Sequence, residues 1–554
     1  MFFLFETKKC SAKKTNEAIK STLPDLLISA LKFVSSEQFS FHSSPGDDDQ
    51  RIRSTEDESS LTICCGYARV LGSSRNLEIE EIATALSYGV RKFGGQYLIL
   101  RFDKKTALTT IYSTIARIIP CYFHAGPDGI FVSNRQSVIA GLLDERLNLD
   151  AAYSFVRNGY FVNEMSAFNN ISLVKPNCVT TIDSTGGVDE FEIDQTLGAI
   201  GSQELNDISR NRLRVAAVNS FNPAFPNKKV KIGVTGGRDS RLIAAMVTKH
   251  IPKTAISMFT KGEEDDADVI LGKEIAGHLG IDHSVTSPAK VSNQSSIKVN
   301  IASRIKQTIL NSDFSLSAYD NLASNPKKFS FDELSFAGNG GELLRSPLAF
   351  ANHDLESARK AIFAHGDARE VFRSEDSKKR YLALLQTWMD GANPSGSASD
   401  LLKRFSLQYR TGRWGSASYM ASYSKLSQRP FYDNELLSEV LPLISHYSES
   451  EAIYYEMLVA ANEELVNIPF DKGVLQLHKS PLSNYQTLSG SLVPFEPVKA
   501  STSRVAAVNW RRRITGSLGE ELCEIVNLVA ADNPDFNEFI DVDKYMSFIR
   551  GDKV

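Results

Sequence analysis

Between residue 59 and about residue 183 the apolar positions come in short runs separated by polar turns, at 61–65, 97–102, 109–113, 121–124 and 129–133. Short runs rich in β-branched and aromatic residues, broken by turn residues, predict an antiparallel β region with a few helices. The polar, turn-rich stretch 42–60 reads as a surface loop. After a Gly/Asp/Ser-rich connection near 184–189 the period changes. Strand patterns at 229–235 and 254–259 each precede a helical pattern, 242–250 and 267–279, and a third strand pattern follows at 334–337. Strands alternating with helices predict a parallel sheet. From residue 356 onward most segments read as helical. The expected fold is an α+β N-terminal domain built on antiparallel strands (1–195), then an α/β parallel-sheet domain with a largely helical C-terminal part (205–554).

The totals narrow the function classes. The 62 basic and 66 acidic residues give a net charge of −4, so no global field draws nucleic acid or an anionic membrane to the chain. Cys10, Cys64, Cys65, Cys121, Cys178 and Cys523 show no metal-ligand spacing, and their scatter fits a reducing compartment. The apolar start, residues 1–5, is too short for a signal-peptide core, and no later run approaches membrane-spanning length. A soluble, cytoplasmic protein with neither nucleic acid nor membrane as partner is expected.

One segment carries chemistry. Val234, Thr235, Gly236, Gly237, Arg238, Asp239, Ser240 and Arg241 lie between a strand pattern and a helical one. Two glycines let the backbone approach an oxyanion, the N–H groups of the helix start favour negative charge, and Thr235 and Ser240 add hydroxyl donors. By composition this is a pyrophosphate cradle. It matches the S/T-G-G-x-D-S loop of ATP pyrophosphatases and is not a Walker A loop, because no Gly-Lys-Ser/Thr follows. Ligands of open α/β sheets bind beyond the carboxyl ends of the strands. The next strand pattern ends near Met258, whose backbone is a natural adenine reader. The acidic loop 263–268 either caps the following helix or faces the ligand. The third strand runs into Gly338, Asn339, Gly340, Gly341 and Glu342, which can set a second carboxylate beside Asp239. Two acids plus phosphate oxygens are what Mg²⁺ requires; a plain helix-start charge is the other reading of Glu342.

In order along the chain, these motifs resemble the asparagine synthetase family. Residues 235–241 resemble its synthetase loop, and 257–260 its adenine strand with Phe259 in place of a small residue. Gly338 to Glu342 resembles its Gly-x-Gly-x-Asp segment, with Glu342 where Asp is usual. Pro430, Phe431, Tyr432 and Asp433 resemble its Pro-Phe helix start, with Arg429 shifted by one. Residues 93–103, 118–134 and 168–177 resemble strands of its N-terminal glutaminase domain. Glutamine-using members carry a cysteine just after the initiator methionine; here Phe2 stands there and Cys10 is displaced. The resemblance therefore implies a glutaminase fold without glutaminase activity, Cys10 gaining the role only through processing.

That likeness implies an AMP-forming amide synthetase, similar to the β-lactam and lasso-peptide macrolactam branches, serving natural-product or peptide biosynthesis, with partner biosynthetic proteins. It would use ATP and Mg²⁺ and take a small molecule or peptide bearing a carboxylate and an amine. Thr235, Gly236, Gly237 and Ser240, with Val234, Gly338 and Gly340, would hold the nucleotide; Asp239 and Glu342 would hold the metal. A late lysine is implied, Lys472 or else Lys479. Arg241 would contact phosphate or substrate carboxylate, or pair with Glu342. Asn339 cannot take a proton at neutral pH, which argues against the tyrosine–glutamate dyad of β-lactam-forming relatives. Arg410, Arg413 and Trp414 line a substrate pocket or pack as core and surface; Tyr319 and Asp320 have no assigned role. The alternative is a non-catalytic binding or assembly subunit, which predicts loss of the metal acids.

Overall fold

The computed structural model describes residues 1–7, 12–44, 51–225, 227–286, 300–316, 328–345, 354–364, 375–392, 397–490, 492, 494 and 517–550. Cys10, Tyr319 and Asp320, and the side chain of Arg410, lie outside this set.

Twelve strands come first: β1 (Phe2–Glu6), β2 (Lys32–Ser35), β3 (Ser40–Ser44), β4 (Ile52–Glu56), β5 (Ser60–Arg69), β6 (Gly94–Asp103), β7 (Leu108–Ser113), β8 (Tyr122–Gly126), β9 (Gly129–Ser133), β10 (Ser172–Leu173), β11 (Cys178–Ile182) and β12 (Val188–Glu192). They form two antiparallel six-stranded sheets, ordered β10-β8-β9-β1-β3-β2 and β12-β11-β7-β6-β5-β4. The alternation within β1 shows how they stack. Phe3 and Phe5 face the second sheet, where Phe5 and Phe39 meet Phe102 at 5.5 and 5.8 Å between ring centroids. Phe2 and Leu4 face the helices Ala12–Thr22 and Gln136–Leu143. The outer face of the second sheet, with Cys64, Tyr97 and Ile99, is covered by the helix Ile79–Ser87. The central strands of each sheet are thus buried on both faces, while the edge strands β2, β4 and β12 are largely exposed; each fully buried phenylalanine contributes roughly 1.5–3 kcal/mol.

Two expectations change here. The stretch 42–60 is not one loop: it holds the end of β3 and all of β4, a polar edge strand paired with β5. An edge strand carries polar side chains on both faces, so alternation gives no signal. The connection 184–189 is a hairpin turn between β11 and β12, closed by Asp183, whose Oδ1 accepts from the amides of Thr185 and Gly187.

A parallel five-stranded sheet follows: β13 (Lys229–Gly233), β14 (Ile256–Lys261), β15 (His283–Thr286), β16 (Ser330–Phe336) and β17 (Lys425–Gln428), in the order β15-β14-β13-β16-β17. The chain leaves β13 through the helix Arg238–Val247 toward β14, and β16 pairs on the other side of β13. The sheet therefore reverses direction of growth between β13 and β16, and the loops after these two strands part at that switch point. The rest of the chain is mostly helical, making the whole a mixture of antiparallel sheet, parallel sheet and helix. Among the described residues no helix is long and apolar enough to cross a membrane.

The first two sheets buttress the third. Asn434 accepts from the amide of Ile115 at 2.9 Å and donates to Phe93 O at 3.0 Å. Arg51 donates to Lys425 O and Tyr423 O at 2.8 and 2.6 Å.

Candidate active site

Val234 follows β13 and is fully buried; its amide donates to Phe259 O, and its carbonyl accepts from the Thr260 hydroxyl at 2.6 Å. Its own backbone groups are thus engaged within the sheet. The next three amides are turned inward onto the chain's own side chains. Thr235 N donates to Ser240 Oγ at 3.0 Å, Gly236 N to Asp268 Oδ1 at 3.1 Å, and Gly237 N to Thr235 Oγ1 at 3.2 Å. Beyond them the amides of Arg238, Asp239 and Ser240 open the helix, where no intrahelical acceptor exists and the dipole favours an anion. The Thr235 and Ser240 hydroxyls lie 2.9 Å apart at that mouth.

The loop after β16 closes on the same spot. Gly340 sits at φ 94°, a left-handed conformation that glycine takes without strain. Gly341 has no room for a side chain, since a Cβ there would lie 2.4 Å from the Asp239 carboxylate. Glu342 accepts from Gly340 N at 3.0 Å. Burial pushes the Asp239 carboxyl up to about 6; Arg345 opposes the rise and the charge of Glu342 adds to it. The two predicted acids therefore share one electrostatic environment. Among the described residues no group of three or more His, Cys, Asp or Glu could hold a metal by itself, so a cation here would need the oxygens of its ligand as well.

Arg345, which sequence reasoning did not single out, ends this loop. Its Nη2 lies 2.7 Å from both oxygens of Asp239. Asp268 was also underread. In the acidic loop, Asp266 takes the N-cap position and accepts from Glu263 N, whereas Asp268 reaches across to Gly236. The only sequence signal for either is a charged residue beside a glycine turn, which is too common to choose by.

The segment after the helix Ala452–Asn462 packs over the cradle. Asp471 N donates to Gly236 O at 3.1 Å, and Arg238 donates to Lys472 O while pairing with Glu451 at 2.5 Å. The charge of Lys472 is felt at Asp268. Lys479 is exposed in the turn Leu477–Lys479.

Arg241 is a correction. It is fully buried, donates to the carbonyls of Leu465, Ile468 and Pro469, and stacks on Phe470 at 3.8 Å. Its guanidinium is spent on these carbonyls in the core, where it anchors the covering segment, and it makes no pair with Glu342 among the described residues. Met258 lies in β14 between Ile232 and His283, with its amide donating to Asp282 O. Arg413 is also spent, on Phe161 O and Met165 O, beside a cavity of about 20 Å³ that has room for one water. Trp414 is exposed.

At the other end of the chain, Phe2 is wholly buried in β1. Cys64, Cys65, Cys121, Cys178 and Cys523 are buried, and burial pushes the Cys178 thiol up to about 12.

No protein-family model matches this sequence, and no curated protein does. Two solved structures share a distant likeness. The allosteric regulatory enzyme of purine biosynthesis is 8% identical, over 52% of this chain and 80% of its own, with a TM-score of 0.22. The glutamine phosphoribosylpyrophosphate amidotransferase from B. subtilis, complexed with ADP and GMP, is 8% identical, over 54% of this chain and 94% of its own, with a TM-score of 0.23. Likeness at that level fixes neither family nor activity.

Proposed function

We propose that this chain is a Mg²⁺- and ATP-dependent amide synthetase of the asparagine synthetase type. The observation that carries the reading is the convergence of two glycine turns at the switch point, which sets Asp239 against Gly338 and Gly341 with the charge of Glu342 bearing on it. A triphosphate fits this set of groups. The helix-start amides and the Thr235 and Ser240 hydroxyls would take the pyrophosphate portion. Asp239 and Glu342 would hold Mg²⁺, which would neutralise the phosphate charge.

In the proposed reaction a substrate carboxylate oxygen attacks the α-phosphorus of ATP, and the bond to the β-phosphate oxygen breaks, releasing pyrophosphate. An amine then attacks the acyl carbon of the resulting adenylate, gives up a proton, and AMP leaves. The protein's share is positioning and charge stabilisation. Lys472, on the segment that covers the cradle, is the cation proposed to meet the transferring groups. Phe2 carries no nucleophile at the position of the family's glutaminase cysteine, and on this reading the amine comes from the substrate itself rather than from glutamine. A single molecule carrying both groups would be closed into a β-lactam or macrolactam ring, as natural-product or peptide biosynthesis requires.

The second reading, a binding or assembly subunit, is favoured by one observation: the cradle's own side chains occupy the amides of Thr235, Gly236 and Gly237. Calorimetric titration with Mg·ATP, followed by chromatography of the nucleotide after incubation with candidate amino acids and peptides, separates the two. Binding with conversion to AMP supports the synthetase. Binding with no turnover across the panel favours the subunit, and no binding at all contradicts both nucleotide roles.

A further inference from the structure

Arg345 holds both oxygens of Asp239, one of the two acids proposed above to bind the metal. One nitrogen, Nη2, spans both Asp239 oxygens at 2.7 Å, while Nε is buried and meets no acceptor among the described residues. A guanidinium has five N–H donors in a fixed fork, and its usual carboxylate partner takes two of its nitrogens in parallel. Here the fork is underused. The backbone beneath it is fixed, because Leu343 and Leu344 are each 2% exposed and Arg345 N donates to Glu342 O. Movement of Arg345 therefore reduces to rotation of a side chain that is 28% exposed, at the rim of the cradle.

We propose that Arg345 and a divalent cation compete for the two oxygens of Asp239, and that the displaced Arg345 takes up phosphate oxygens of the polyphosphate. This rests on the nucleotide reading above and adds a residue to it. The guanidinium and the metal carry charge of the same sign to the same acid, so one excludes the other. A phosphate offers three oxygens to a fork that has donors to spare, and Arg is suited to that planar geometry. Arg345 then acts twice, lowering the affinity of the site for a bare cation and raising it for a cation that arrives with polyphosphate. The site is thereby selective for the metal complex over the metal alone.

The test uses the full chain and two probes. Mn²⁺ alone is titrated by electron paramagnetic resonance, and inorganic pyrophosphate with Mg²⁺ by calorimetry, in wild type and in Arg345→Gln. Exchange predicts Mn²⁺ binding at least five-fold tighter and Mg²⁺-pyrophosphate binding at least ten-fold weaker in the variant. A residue that merely holds the loop would weaken both. Equal or weaker Mn²⁺ binding in Arg345→Gln, in a chain that binds ATP, overturns the exchange alone. A wild-type chain that binds neither pyrophosphate nor ATP overturns the nucleotide reading instead. Should Arg345→Gln fail to fold, Arg345→Lys keeps the charge without the fork. It is then expected to lose pyrophosphate affinity at least five-fold while Mn²⁺ affinity moves less than two-fold, and the reverse pattern contradicts the proposal.

Discussion

Arg69 and Asp433 meet at 2.7 Å with side chains 1% and 0% exposed, joining β5 of the second antiparallel sheet to the turn that follows β17. Glu435 completes the group at 3.4 Å from Arg69. Removing one partner of a buried pair strands the other charge, at roughly 3–5 kcal/mol. Arg69→Met and Asp433→Asn should each lower unfolding stability by about that amount in chemical denaturation. The double variant should lose less than the sum, since Arg69 and Asp433 are then removed together and only Glu435 is left without its cation. Additive losses would show that the two residues act separately.

Gly341 is where the two loops touch. Alanine there would put its Cβ 2.4 Å from Asp239 Oδ1, so the carboxylate must shift. Gly341→Ala should keep its circular dichroism spectrum and lose ATP affinity by about ten-fold or more, a 1.4 kcal/mol effect or greater. Gly391, near the end of the helix Glu375–Ala392, has nothing among the described residues within 4 Å of its Cβ position. Its alanine variant should bind ATP as wild type does.

Asp268 places a carboxylate oxygen on the Gly236 amide that a phosphate would want. Asp268→Asn keeps an acceptor and removes the charge. Pyrophosphate affinity, measured by calorimetry, should rise by about ten-fold, or 1.4 kcal/mol. Unchanged or weaker binding would mean that Asp268 does not compete with the anion.

Lys403 is buried, donates to Ile444 O at 3.0 Å, and is pushed down by burial to about 8. The folded chain thus holds this proton less tightly than the unfolded chain, in which a lysine titrates near 10.4. Stability should rise with pH between about 8 and 10.4, and the penalty should be complete at pH 7. Lys403→Met should be more stable at pH 7 by roughly 1–3 kcal/mol, the lost hydrogen bond offsetting part of the gain. Melting temperatures of the two proteins should converge as the pH is raised toward 10. A constant gap would show that ionisation is not the cause.

Much of the fold was legible because its signals are local. The run 129–133 became β9 and the helix at 267–279 appeared with those bounds, since a hairpin strand and a capped helix announce themselves by period and turn residues. β4 gave no signal because an edge strand is polar on both faces, and β1 gave none because its four apolar residues alternate between two buried faces. In the site, the meeting of Asp239 with the Gly338–Gly341 turn was legible from strand-loop grammar. The directions of Arg241, Arg345 and Asp268 were not. Each depends on which loop packs opposite, and sequence spacing does not carry that information.

The measurement that tests the account most directly is ATP–pyrophosphate exchange with Mg²⁺ across a panel of amino acids and peptides, in wild type and in Asp239→Ala. Acid-dependent exchange is expected in the wild type and should fall at least 100-fold, or about 2.7 kcal/mol, in the variant. Exchange that survives the loss of Asp239, or ATP bound and never exchanged with any acid, would contradict it.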